Sequence, residues 1–271
     1  MRRLFIIYHW IFRSRNNVKI FELASFLFKP KVKKIASRFI SKITVDRNWF
    51  SVRFKEFGKE LFWPKEFPLN GIYQVTSETF DKNDWHYYQK KNTEIITGEK
   101  LLDIGAAEGL FALSVVDKCD SIILIEPNSY FIHSLKKTFA SYLNKVKIHE
   151  YAVGNYNGII EFNETSLHGS VSNNGTHLNK KEIVKIDSII GSQTKITYLK
   201  ADIEGFEQEM LKGAETTIKT NKPKIAITSY HNENDATEII DIVKSFVPEY
   251  NHYVKGVSHI SGKPVMIHFW I

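Results

Sequence analysis

Four stretches of this chain end an apolar run in polar groups of the kind that do chemistry on a small molecule. In Lys100-Leu101-Leu102-Asp103-Ile104-Gly105-Ala106-Ala107-Glu108-Gly109 a short strand ends in an acid, passes through small residues and opens into a helix. Small residues let a ligand approach the backbone, and a helix start offers free N–H donors. Twenty-one residues after Gly105, the run Ile122-Ile123-Leu124-Ile125 ends in Glu126-Pro127. A carboxylate at the tip of that neighbouring strand can accept both hydroxyls of a ribose. The third run, Tyr198-Leu199-Lys200-Ala201, leads into Asp202-Ile203-Glu204-Gly205. Asp202 and Glu204 can position or deprotonate a hydroxyl, or hold a divalent cation that lowers its pKa; the bland alternative is that they cap and favour the next helix. The fourth, Pro223 to Ser229, brings His231 to the same sheet edge, as a general base or as a loop hydrogen-bonding residue.

The first two stretches call for a cofactor carrying adenosine, and the turn separates two kinds. A dinucleotide fingerprint needs three glycines so that a pyrophosphate can pass close to the backbone. Here the middle glycine is missing and Glu108 sets negative charge where phosphates would lie. A cationic cofactor without phosphate fits better. S-adenosylmethionine is the common one, and Asp103 and Glu108 suit its sulfonium and amino groups.

These residues need a sheet to hold them. Strands are expected at 100–104, 121–126, 146–151, 196–201, 223–229 and 264–270, with helices at 108–117, 128–142, 205–219 and 234–246. That alternation implies an α/β fold with a mostly parallel sheet and helices on both faces. The interval 155–190 breaks the rhythm with a hairpin at 159–163, a loop around Gly169 and Gly175, and a strand at 182–186. Insertions there shape substrate pockets, and His168 and Ser170 within it are weaker contact candidates. Ahead of the sheet, residues 1–45 read as helical, broken at Lys29-Pro30. A hairpin follows at 49–55 and 60–63, then a connector at 64–69 and a helix at 84–91. The expected division is a basic extension over residues 1–90 and a catalytic domain over 91–271.

Composition bounds the rest. At 271 residues, with 43% apolar and 25% charged, the chain can bury a substantial core. One cysteine, Cys119, rules out an internal disulfide framework and a cysteine-rich zinc site, and fits a reducing compartment. The apolar start contains Tyr8, His9 and Trp10 with no small-residue cleavage site after it. The expected location is the cytoplasm, peripheral at the inner membrane face. Residues 1–60 hold 15 Lys and Arg against 4 Asp and Glu, whereas the remainder holds 22 against 26. Within this basic part, Val32, Ile35, Ala36, Phe39 and Ile40 would share one face of a helix. It would either pack on the domain or lie on an anionic membrane, the expected contact then running through residues 1–45.

Together these segments resemble the FkbM-type methyltransferases, S-adenosylmethionine-dependent enzymes with the seven-strand class I, Rossmann-like fold. The resemblance rests on Leu102 to Gly109, Ile125-Glu126-Pro127-Asn128, Tyr151-Ala152-Val153-Gly154, Gly169-Ser170-Val171-Ser172, Ile186-Asp187-Ser188, and Leu199 to Glu207 running on to Leu211-Lys212-Gly213-Ala214. It covers roughly residues 95–245. Ala201 departs from it, since the family usually carries a larger apolar residue there. The resemblance implies methyl transfer to an oxygen, typically a hydroxyl of a sugar, glycan or related small molecule, by direct displacement with Asp202 or His231 taking the proton. By position, Asp103, Gly105, Ala106, Glu108 and Gly109 would face the methionine part, Glu126 with Pro127 the ribose, and Ala152-Val153 the adenine edge. A divalent cation is left open. Two competing readings come from the basic extension. One is a nucleic-acid methyltransferase, disfavoured because Asp202-Ile203-Glu204-Gly205 replaces the Asn/Asp-Pro-Pro-aromatic motif of base methylation. The other is a non-catalytic scaffold tethered to a membrane.

Overall fold

The computed structural model describes residues 2–164, 170–171, 178–191, 194–232 and 235–271. His168, Gly169, Ser172 and Gly175 lie outside them. From the N-terminus run α1 (Arg2–Phe12), α2 (Ile20–Leu27) and α3 (Val32–Ala36), then the strands β1 (Ile40–Val45), β2 (Trp49–Phe54) and β3 (Glu60–Pro64), and α4 (Leu69–Phe80). The expected basic helix over 31–42 therefore stops at Ala36. Ile40-Ser41-Lys42-Ile43-Thr44-Val45 is dense in β-branched side chains and joins β2 and β3 as a third antiparallel strand. The expected helix at 84–91 is absent as well. Asp84 accepts from the His86 N–H at 3.0 Å and folds the segment into a turn, while the helix lies at 69–80, where the buried face is made of Gly71, Ile72, Thr76, Ser77 and Thr79, with Ile72 its one large apolar residue.

The central sheet follows: β4 (Glu99–Ile104), α5 (Leu110–Val115), β5 (Cys119–Ile125), α6 (Ser129–Thr138) and β6 (Val146–His149). Next come β7 (Ala152–Val153), β8 (Gly158–Asn163), β9 (Ser170–Val171), β10 (Leu178–Val184), α7 (Ile186–Ile189) and β11 (Tyr198–Ala201). The chain closes with α8 (Glu207–Lys212), α9 (Glu215–Asn221), β12 (Lys224–Thr228), α10 (Asp235–Phe246), β13 (Asn251–Lys255) and β14 (Met266–Trp270). Seven strands pair in the order β13-β14-β12-β11-β4-β5-β6. Only β14 runs against its neighbours. This is the class I methyltransferase architecture, completed by β13, which the sequence reading did not assign. The insertion forms a second sheet, β7-β10-β8-β9.

Alternate residues of the central strands feed opposite cores, as the pleat requires. Leu101, Ile122 and Leu124 pack with α5, α6 and buried side chains of the N-terminal segment, among them Ile6, Leu23, Val52 and Trp63. Leu102, Ile123 and Ile125 pack with Met210, Ile218 and Ile239 on the other face. The N-terminal segment thus shares one core with the sheet. The expected helix 205–219 is broken into α8 and α9 at Gly213, which passes so close to β7 that an added Cβ would lie 2.0 Å from the Gly154 carbonyl oxygen. Asp187 supplies the cap that α9 lacks from its own sequence, accepting from the N–H groups of Thr216 and Thr217 at 2.9 and 2.8 Å.

Candidate active site

The strand order reverses direction between β4 and β11, the switch point at which an open parallel sheet leaves a crevice. Two loops meet there. Gly105 adopts a φ of +68°, and an added Cβ would lie 2.0 Å from the Asp202 carbonyl oxygen. The absent side chain lets the ends of β4 and β11 touch. Lys200 fastens the same junction from beneath, with Nζ donating to the Gly105 carbonyl at 2.7 Å and pairing with Asp103 at 2.9 Å. Burial opposes the Lys200 charge, but Asp103 and Asp202 hold its pKa above the ordinary value. Glu126 bridges the first turn to the second, accepting from the Ala107 N–H at 2.8 Å and the Asn128 N–H at 2.9 Å.

Above this floor opens a cleft whose wall includes Gly105, Ala106, Glu108, Glu126, Pro127, Ala152, Val153, Asp202 and Glu204. It encloses about 1350 Å³ when the open solvent at its mouth is included. Asp103 and Gly109 do not reach the cleft. Asp103 is fully buried against Lys200, and Gly109, at a φ of +82°, starts α5 where a side chain would strike Leu135. Burial pushes the carboxyls of Glu108 and Glu126 up to about 7. Both are acids short of a cation or of hydroxyl donors.

Asp202 is the meeting point of three elements. Tyr88 donates its hydroxyl to Oδ2 at 2.6 Å, and Thr228 at the end of β12 lies 3.2 Å from Oδ1. The Tyr88 ring is itself held, because Tyr198 donates to the Tyr88 carbonyl at 2.6 Å. Glu204 follows with a φ of +54°, a strained conformation for a side-chain-bearing residue. Glu207, fully buried, locks this turn by accepting from the N–H groups of Ile203 at 3.2 Å and Gly205 at 2.9 Å.

His231 lies within this acidic frame rather than in the cleft wall. Its Nδ1 is 2.9 Å from Glu207, while Nε2 is 3.2 Å from Glu204 and 4.0 Å from Asp202. The Glu204 contact is an ion pair outside hydrogen-bond alignment. Burial works against the imidazolium, but Glu204, Glu207 and Asp202 outweigh it and raise the pKa to about 11. At neutral pH this histidine carries both ring protons, so the expected general base is a fixed cation. Asp202, Glu207 and His231 do present ligand atoms within 4.8 Å of one another. The imidazolium already supplies the positive charge, and a metal ion would have to displace its proton.

A further part of the wall, beside Asp202, comes from the N-terminal segment and was invisible in the sequence. Trp63, Gln74, Glu78, His86 and Tyr88 all border the cleft. His86 lies between Asp84 at 3.4 Å and Glu78 at 3.9 Å. Burial opposes its charge, but these acids hold its pKa at about 9, while burial lifts Glu78 to about 7. The only trace of this wall in the sequence is the density of polar and aromatic side chains in Asp84-Trp85-His86-Tyr87-Tyr88, and no spacing ties it to Asp202.

A family model, the methyltransferase FkbM domain, matches residues 103–252. Among solved structures, the chain is similar to methyltransferase FkbM from Methylobacillus flagellatus KT. That match has 21% identity and a TM-score of 0.52, and covers 75% of this chain and 56% of that one. The chain therefore spans little more than half the length of that structure. Precorrin-6y C5,15-methyltransferase from Geobacter metallireducens GS-15 is similar at 10% identity and a TM-score of 0.42, over 67% of this chain and 85% of that one. Trm5b from Pyrococcus abyssi is similar at 12% identity and a TM-score of 0.45, over 84% of this chain and 62% of that one. No curated protein sequence matches the chain.

Proposed function

Because the chain belongs to the FkbM methyltransferase family, whose members use S-adenosylmethionine, we propose that it transfers a methyl group to a hydroxyl of a sugar, glycan or related small molecule. The observation that carries this reading is Asp202. It is a carboxylate bordering the cleft at the switch point, fixed by Tyr88 and Thr228. A cleft rich in acids suits neutral hydroxyls and a cationic donor. It repels the phosphates of a nucleic acid, which bind through Lys and Arg.

The residues present fit the donor. Glu126, with one lone pair on each oxygen still open after its two backbone bonds, can accept ribose hydroxyls. Glu108 can face a positive group, and Pro127, Ala152 and Val153 offer an apolar side to the adenine. When bound, S-adenosylmethionine supplies an activated methyl group on a sulfonium. The chain then has to orient the acceptor and remove one proton. Asp202 accepts that proton on a carboxylate oxygen. His231 remains protonated and holds the acids in register, and Tyr88 fixes the carboxylate plane. Glu78 and His86, which also line the cleft, offer an acceptor and a donor for neighbouring hydroxyls of the substrate.

The test is to supply S-adenosylmethionine labelled in its methyl group to the protein with a sugar panel, a glycan extract and transfer RNA in separate reactions. Label recovered in O-methyl sugars agrees with the proposal. Label recovered only in RNA contradicts it.

A further inference from the structure

Ten of the seventeen exposed large apolar side chains among the described residues fall within the first 45 residues. Most belong to α1, to α2 and to Phe28 directly after it. The two helices form an antiparallel hairpin clamped at both ends. Arg3 donates to the carbonyls of Leu27 and Lys29, and Trp10 Nε1 donates to the Val18 carbonyl at 2.7 Å. The inner side of the hairpin is seated on the body. Ile6 and Leu23 are buried, Phe26 stacks on Trp85 at 4.2 Å, and Glu22 accepts from Trp85 Nε1 at 2.8 Å. The outer side carries Leu4, Ile11 and Phe12 on α1. Phe21 and Phe28 stand out beside them, 85% and 86% exposed. A protein in water gains nothing by displaying such a patch unless something covers it.

Charge selects what covers it. Residues 1–45 hold eleven Lys and Arg and one acid, Glu22, which is turned inward to Trp85. Arg13, Arg15 and Lys19 are exposed in the link between the helices, and Lys31, Lys33 and Lys34 are exposed just beyond them. A second copy packed on this face would bring two such cationic rims together. A nucleic acid would use the cations but has no place for a stripe of Leu, Ile and Phe. An anionic bilayer uses both, with phosphates for the rim and acyl chains for the stripe.

We propose that the α1–α2 hairpin docks the protein on an anionic lipid surface, with the apolar stripes entering the headgroup boundary and the flanking cations meeting lipid phosphate. The docking element is the hairpin, within the expected residues 1–45 but ahead of the stretch 31–42 whose pattern is amphipathic. The proposal rests on no part of the methyl-transfer reading. No helix among the described residues is long and apolar enough to cross a membrane, so the contact is peripheral.

The experiment is sedimentation of the full chain with vesicles of phosphatidylcholine alone and with about 30% phosphatidylglycerol added, at low and high salt. Binding is expected to the anionic vesicles only and to weaken with salt. Phe21→Ser/Phe28→Ser should weaken it roughly tenfold or more, and Arg13→Gln/Arg15→Gln, which removes two of the six exposed rim cations, should lower the salt dependence by about a third. All four side chains are exposed, so the unfolding midpoints should stay within a degree or two of wild type. Failure to bind anionic vesicles overturns the proposal, and so does equal binding by the phenylalanine variant. A dimer that dissociates in that variant with no vesicle binding assigns the face to a second copy. RNA binding that loses its strength in the arginine variant only, with no vesicle binding, assigns it to nucleic acid.

Discussion

Asp202 and His231 lie 4.0 Å apart in contrasting settings. Asp202 borders the cleft and can take a proton, whereas His231 is wedged between Glu204 and Glu207 and keeps its own. Asp202→Asn should lower turnover by about 10²–10⁴-fold and leave the affinity for S-adenosylmethionine nearly unchanged. Steady-state rates beside a binding titration separate the two effects, and a parallel loss of both would remove Asp202 from the chemistry. A second prediction concerns pH. Glu108 and Glu126, raised to about 7 by burial, accept hydroxyl donors or face a cation best when ionised. Affinity for S-adenosylmethionine should therefore rise with pH through about 7 and level off above it. Titrations across that range, repeated with Glu126→Gln to remove part of the slope, check this. Sequence pattern pointed to Asp202 and Glu126 because each follows an apolar run at a strand end, and to Glu108 because it sets negative charge in the turn after the first strand. It missed Glu207, which looks like any acid in a first helical turn until the fold shows it accepting from Ile203, Gly205, Thr228 and His231.

At the scale of elements, several of the densest sequence blocks hold segments together and do not touch the cleft. Lys200 ties β11 to the first turn, Asp187 caps α9, and Gly213 lets the α8–α9 break lie against β7. Gly105→Ala combines a left-handed backbone with a Cβ driven into the Asp202 carbonyl. It should cost roughly 3 kcal/mol or more and part the cofactor turn from Asp202. Asp187→Ala, which leaves two N–H groups of α9 without their acceptor, should cost about 1–2 kcal/mol with cofactor affinity preserved. Denaturant unfolding of both variants distinguishes these outcomes. Buried parallel strands were legible because they read as continuous Ile, Leu and Val runs. The 40–45 strand was not, since Val32, Ile35, Ala36, Phe39 and Ile40 also satisfy a helical period and only pairing with β2 decides between the two. The helix 69–80 was hidden by Thr76, Ser77 and Thr79, which are buried in a helix that its own residues favour weakly.

For the whole molecule, the shared core makes the N-terminal segment part of the fold and one wall of the cleft. The cleft also contributes to the pH dependence of stability. Glu78, Glu108 and Glu126 have pKa values near 7 in the folded chain, above their ordinary values, so they bind protons more tightly folded than unfolded. That contribution is complete below about pH 4.5 and is lost as pH rises through about 7. His86, raised to about 9, has the same sign and loses its contribution between its ordinary value and 9. The ligand-free protein should therefore melt at progressively lower temperature from about pH 5 to about pH 9, as scanning calorimetry would record; a flat or rising midpoint would contradict the burial of these groups. The most direct test of the account is a calorimetric titration of S-adenosylmethionine into wild type, Glu126→Ala and Asp202→Asn, with NAD as comparator. Wild type should bind S-adenosylmethionine and not NAD, Glu126→Ala should bind it roughly 10–100-fold more weakly, and Asp202→Asn should bind it as wild type does. Tight NAD binding, or S-adenosylmethionine binding indifferent to Glu126→Ala, would contradict the assignment of this cleft.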